Sequence, residues 1–199
     1  MGGYTAVADA SETVVKLLRG RMRDLLDADD VALSSPGATR ANGAPRLTLF
    51  LYRTAVNPYL RNRDRLGDGP PDPGSVPLDL HYLVTAHSSD GGTDETAQSL
   101  EQHRVLGRTI QVFADNPVVS GSDLLGSLSE DRELRIVVDS QSADDAFEVW
   151  NTFTDVPYQP SLVCVVGPVF VSTEAPSPTP RVVERRVDDH LMGGTDAGE

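Results

Sequence analysis

The apolar positions of this chain repeat with two different periods, and each period predicts its own kind of element. Leu47-Thr48-Leu49-Phe50-Leu51-Tyr52 is apolar on both alternating sets, the pattern of a strand covered on both faces. A second strand is predicted over Pro77 to His87. There Leu78, Leu80, Tyr82, Val84 and Ala86 share one face, while Asp79, His81, Leu83, Thr85 and His87 share the other. Val31 to Ser34 reads as a short strand, and Leu134, Ile136 and Val138 alternate as a further long one. After the turn Pro157-Tyr158-Gln159-Pro160, Ser161 to Val171 is a last apolar strand.

Three other segments carry helical spacing. Ser11 caps a helix whose stripe is Val14, Val15, Leu18, Met22, Leu25 and Leu26. Asp94 or Thr93 caps the longest helix, with Leu100, His103, Leu106, Ile110 and Phe113 on one stripe. It ends near Asp115-Asn116-Pro117, because Pro117 pushes Asn116 out of helical space. Ser142, with Asp144 and Asp145 in the first turn, opens a third helix carrying Ala146, Phe147, Trp150 and Phe153. Pro36 to Pro45 reads as a loop, and Gly121 to Leu128 as a short helical turn at most. The sum is an α/β (α+β) domain over residues 1–174, a mixed sheet of four to five strands packed with about three helices. Beyond Ala175 the composition changes to Pro-x-Pro-x-Pro and then Arg, Asp and Gly, which predicts a flexible C-terminal arm over 175–199. Within it, the run Arg181, Val182, Val183, Glu184, Arg185, Arg186 and Val187 is suited to form one strand against a partner's sheet edge.

Charge narrows the partners. The net charge is −13 over 199 residues, which disfavours non-specific binding to nucleic acid or to an anionic membrane surface. Asp outnumbers Glu about two to one, and Lys16 is the single lysine. A strongly hydrated, aspartate-rich, lysine-poor surface stays soluble in molar salt, where charge repulsion is screened within ~3 Å. Two readings fit that bias: a halophile's protein, or an acidic protein from a GC-rich genome. Lys16, Arg19, Arg21 and Arg23 form a basic strip on the first helix, either a solvated face or half of an interface with an acidic neighbour. Cys164 is the only cysteine, so no intrachain disulfide and no cysteine cage can form, and its apolar run predicts a buried thiol. No segment has the length of a membrane span or the pattern of a signal peptide, so the expected location is the cytoplasm.

Candidate chemistry is sparse. Asp79 and His81 at i, i+2 offer two metal ligands, but strand residues six apart lie ~20 Å apart, so His81 and His87 cannot share an ion. His103 falls on its helix's apolar stripe, the position of a core histidine, and His190 belongs to the arm. No nucleophile elbow, Walker loop or Gly-x-Gly-x-x-Gly turn is present. No catalytic, cofactor-binding or metal residue is assigned, and none of these functions is expected. The polar features that remain point to a partner. Arg53, Arg61, Arg63 and Arg65 cluster with Tyr52, Tyr59 and Asn62 on a connection of more than twenty residues after the first long strand. Arg with Tyr is the pairing that interfaces favour. The alternative is a charge-balanced loop with Asp64, Asp68 and Asp72.

Several segments together match one pattern. They are Leu-Thr-Leu-Phe-Leu-Tyr-Arg (47–53), Asn57-Pro58-Tyr59-Leu60-Arg61-Asn62, Pro77 to Ala86, His103 through Leu106-Gly107-Arg108 to Asp115-Asn116-Pro117-Val118, and Trp150 through Pro157-Tyr158-Gln159-Pro160 to Leu162. In this order and spacing, from about Ser11 to Val171, they resemble the N-terminal domain of the cap, or tube-terminator, proteins of phage-tail-like contractile injection systems of the antifeeding-prophage and virulence-cassette type. The resemblance implies a tail-terminator-like fold and a non-enzymatic protein without metal or nucleotide. It implies a homo-hexameric ring on the last layer of an inner tube protein, which stops the tube and holds the end of the sheath protein. Under it, Arg53, Asn57, Tyr59, Arg61, Asn62 and Arg63 are ring or tube contacts. Arg181, Val182, Val183, Arg185 and Arg186 belong to a strand donated to a sheath subunit or a neighbouring copy. With the acidic surface, it also suggests a particle of a halophilic archaeon, an injection system or a tailed virus.

Overall fold

The computed structural model describes residues 3–37, 45–60, 75–89, 94–128, 133–139 and 143–172. The sheet has six strands: β1 (Val31–Leu33), β2 (Leu47–Val56), β3 (Ser75–Ala86), β4 (Val118–Ser120), β5 (Glu133–Asp139) and β6 (Ser161–Ser172). Their order across the sheet is β1-β2-β3-β6-β5-β4. β1 runs parallel to β2 and every other pair is antiparallel. The sixth strand, absent from the expectation of four to five, is β4. Its three residues follow Pro117 directly and pair with Glu133 to Arg135, too short a run for alternation to show.

Three α-helices, α1 (Ala6–Arg21), α2 (Glu95–Asp115) and α3 (Ala143–Trp150), and two single 3-10 turns, Ala28–Asp30 and Gly121–Asp123, complete the described elements. Alternation along β3 divides the packing as expected. Leu80, Tyr82, Val84 and Ala86 point into the main core with α1 and α2, while Leu83 points to the other side, against Trp150 of α3. The strand between them in the sheet supplies Cys164 and Val166 to the main core and Val163 to the second. Burial pushes the Cys164 thiol up to about 12, so it remains protonated and inert.

Two helix boundaries or faces differ from the sequence reading. α1 begins at Ala6, five residues before Ser11, and Ser11 lies inside it, buried. The Ser11 hydroxyl bonds the Val7 carbonyl at 2.8 Å and shares a 2.7 Å hydrogen bond with the Tyr82 hydroxyl. The added turns are marked by Ala6 and Ala10, both fully buried, whose small side chains let the helix lie close to the sheet but contribute little to an apolar stripe. In α2 the stripe is rotated. Val105, Thr109, Val112 and Phe113 are buried, whereas Leu100 and Ile110 are half-exposed and His103 is exposed, so His103 is not a core histidine. Thr109 conceals this face in the sequence. It is polar, yet its hydroxyl is satisfied by the Val105 carbonyl at 2.9 Å and it packs without solvent. The cap is Asp94, whose carboxylate accepts from the backbone of Thr96 and Ala97.

The segment after β4 is fastened back onto α1. The Asp9 carboxylate accepts from the Ser127 amide at 2.8 Å and from its hydroxyl, and the Thr13 hydroxyl accepts from the Leu125 amide at 3.1 Å. Gly126 has φ +63°, and a Cβ there would run into the Asp9 carboxylate, so this turn requires glycine twice over.

Candidate assembly surfaces

The end of the β2–β3 pair carries the described part of the Arg/Tyr cluster. Leu51 pairs with Tyr82 but Arg53 pairs with His81, so Tyr52 is an extra residue that bends β2. The Tyr52 ring meets the His81 ring edge-on, with centroids 6.1 Å apart. Beyond the bend, Asn57 acts as a clasp. Its backbone amide donates to the Pro77 carbonyl at 2.9 Å and its side-chain amide donates to Asp79 Oδ2 at 2.9 Å. Its side-chain oxygen accepts from the Tyr59 amide at 3.0 Å. Tyr59 is thereby held 90% exposed, and Arg53 earlier in β2 is exposed too. Arg61, Asn62 and Arg63 lie outside the described residues, as do Arg181, Val182, Val183, Arg185 and Arg186 of the arm and His190.

Asp79 has a structural role here. Besides accepting from Asn57, its carboxylate lies directly over Gly167 of β6, where a Cβ would collide with it and with the Leu78 carbonyl. The β3–β6 register shifts at this point. His87 lies at the far end of β3, its Nε2 3.1 Å from the Thr48 hydroxyl, and burial holds its pKa below the usual histidine value. Among the described residues no group of three or more His, Cys, Asp and Glu side chains is placed to hold a metal ion. No helix among them is long and apolar enough to cross a membrane.

Two further surfaces stand out, one of them the basic strip already visible in the sequence. On the α3 side, Phe147 shares its helix with the buried Trp150 but is 56% exposed. It stacks on Tyr158, itself 58% exposed, with ring centroids 6.0 Å apart and planes 21° apart. Trp150, which donates to the Ser161 hydroxyl at 3.2 Å, supports Tyr158 from below with centroids 5.3 Å apart. The period-3.6 pattern gave no means of separating Phe147 from Trp150, because α3 is only eight residues long. On the opposite side, a groove of about 910 Å³ runs along α1, between β1 and the turn after β4. Lys16, Arg19, Arg21 and Arg23 line it, so the basic strip of the sequence is the wall of a concave surface. Arg19 is tied to the Val31 carbonyl by Nη2 at 2.8 Å and Nε at 3.3 Å.

Comparison with known proteins places this arrangement. No curated protein matches the chain in sequence. Among solved structures, the sheath/tube terminator of an extracellular contractile injection system, PVC, in its extended state, superposes with a TM-score of 0.54 at 16% identity, over 98% of this chain and 67% of that one. The tube-terminating cap of the anti-feeding prophage gives 0.53 at 18% identity, over 91% of this chain and 61% of that one. At such identities the likeness is one of fold, and this chain spans about two thirds of the length of either. Residues 9–185 match the family model described as the Pvc16 N-terminal domain. That match covers all but the first residues of the main core cluster, the whole of the second, the Asn57 clasp and the α1 groove, and the chain therefore belongs to the Pvc16 N-terminal domain family.

Proposed function

We propose that this chain is a structural assembly protein that caps and terminates the inner tube of a contractile injection system. The observation that carries the reading is the family match across residues 9–185, joined to a fold shared with two tube terminators. The role is non-enzymatic, and Asp79, Asp9 and Asp94 serve the Asn57 clasp, the turn after β4 and the α2 cap. The working form is a homo-hexameric ring that contacts inner tube protein and sheath protein. Arg53, Asn57 and Tyr59, with Arg61, Asn62 and Arg63 of the following connection, form one contact surface, and the 175–199 arm offers a strand through Arg181 to Arg186. The aspartate-rich composition fits a particle from a halophilic source, assembled in the cytoplasm and released.

The test is electron microscopy of particles from cells with and without the gene, at native salt. Overlong tubes, ragged ends or loss of sheathed particles are expected in the deletion. Particles of normal length with intact ends overturn the reading.

A further inference from the structure

The aromatic surface beside α3 and the basic groove along α1 are opposite in position and complementary in chemistry. α1 packs on the side of the sheet to which Leu80, Tyr82 and Val84 point, and α3 on the side to which Leu83 points, so they lie on opposite faces of one subunit. The α1 groove has cationic walls from Lys16, Arg19, Arg21 and Arg23, and an apolar floor that includes Leu33 and Leu125. Glu12 and Asp123 are its only carboxylates, so it is net positive in a chain of net charge −13. Among the described residues Lys16, Arg21 and Arg23 have no ion-pair partner. The α3 side presents the converse: two stacked, half-exposed aromatic rings, Phe147 and Tyr158, with the exposed Glu148 next to Phe147 in the chain and the exposed Asp155 three residues before Tyr158, both likewise without an ion-pair partner among the described residues.

We infer that the α1 groove is the seat for the Phe147–Tyr158 knob of a second copy of this chain. Four properties match. The knob is anionic where the groove is cationic, and its rings are apolar where the groove floor is apolar. Arginine stacks on aromatic faces, which suits the walls to the rings. A volume of about 910 Å³ is in the range of clefts that enclose bulky groups. Because donor and acceptor surfaces lie on opposite faces, the contact is heterologous: each copy offers its knob to one neighbour and its groove to another, which yields a ring or an open chain and never an isolated two-fold dimer. This contact deepens the proposed ring by naming its surfaces, and it rests on the ring reading only for its biological use.

The test is disulfide trapping in assembled particles and in the purified protein at high concentration. Gly20 faces the groove with nothing near a Cβ built on it, Glu148 is exposed beside the knob, and Cys164 is fully buried and does not compete. Oxidising a mixture of Gly20→Cys and Glu148→Cys chains is expected to give a cross-linked dimer, with neither variant cross-linking alone. The variant carrying both is expected to give a ladder. No dimer in the mixture, or equal cross-linking by either variant alone, overturns the proposal. A second measurement is sedimentation of Arg21→Glu/Arg23→Glu and of Glu148→Arg/Asp155→Arg. Each is expected to weaken self-association at least tenfold, and a mixture of the two to recover it across the reversed pair. Loss in neither variant also overturns it. Rings seen on tube ends without the 20–148 cross-link remove this contact alone, whereas tubes capped by single copies remove the ring reading.

Discussion

The two faces of the sheet are built on different principles. On the α1/α2 side the core is broad and aliphatic, with Leu18, Leu47, Leu49, Leu80, Val84, Val105 and Val166 closed around Tyr82 and Phe113. Its few polar groups are paired inside, as Tyr82 is with Ser11. On the α3 side the buried hydrophobic cluster among the described residues is Leu83, Trp150 and Val163, beside the buried Thr48 and Thr85, and much of what packs on it is aromatic: Phe50 against Phe153 at 5.6 Å, Phe153 against Trp150 at 5.9 Å, and Tyr158 beyond them. An aliphatic interior holds a domain together through area removed from water. A thin, stepped layer of rings contributes less of that and leaves its outermost members in solvent, where large rigid side chains serve recognition. The first face is a folding core and the second is a platform.

The strongest way to break this comparison is to delete one ring from each side. Phe113→Ala opens a cavity in the closed core and is expected to cost about 3–5 kcal/mol, whereas Trp150→Ala at the thin layer costs about 2–3 kcal/mol because its surroundings can collapse or admit water. Denaturant unfolding of both variants checks the order, and equal losses would mean that the α3 side is as much a core as the other. A smaller effect is expected at Asp9, which fastens the segment after β4 to α1. The Ser127 hydroxyl bond is the main reason its carboxyl lies below the ordinary value of 3.8; burial opposes this, and the Ser127 amide and Thr5 add to it. A depressed carboxyl stabilises in full above its unfolded value and loses that contribution as pH falls through the folded one. Asp9→Asn should therefore destabilise by about 1–2 kcal/mol at pH 7 and flatten the acid limb of stability below pH ~4. Thermal melts across pH 2–7 read both. The smallest stability effect belongs to Phe147→Ser. As an exposed ring on the platform, it should change unfolding by no more than ~0.5 kcal/mol while reducing self-association measured by sedimentation. A loss comparable to Trp150→Ala would move Phe147 into the core.

The same contrast decides what was legible in the sequence. The main strands announced themselves because Leu78 to Ala86 and Leu134 to Ile136 keep a two-residue period with one face buried, and Asp94 and Pro117 bounded α2 by cap and break chemistry. The first turn and a half of α1 was hidden because alanine packs there, and the inner face of α2 was misassigned because Thr109 is buried while Leu100 and Ile110 are not. Hydropathy counts residue types, but close approach rewards small ones and a satisfied hydroxyl packs like a methyl. The basic strip at Lys16, Arg19, Arg21 and Arg23 was visible as charge, but its concavity depends on β1 and the turn at Leu125 coming together across about a hundred residues. The Arg/Tyr cluster was visible too. Its fixed point, Asn57, was readable only as the first residue of the motif running to Asn62, since the Asp79 bond that makes it a clasp joins two strands.

The short edge strands carry one further consequence, for proteostasis. β1 and β4, three residues each, are the two rims of the sheet, while the ten- and twelve-residue strands are all interior. A long bare rim templates the addition of further strands and ends in aggregates. Among the described residues β1 covers only Leu47–Leu49 of β2 and β4 only Glu133–Arg135 of β5, so whole sheets from crowded copies meet at rims three residues long, while the uncovered stretch of β2 is left for a single strand to pair with.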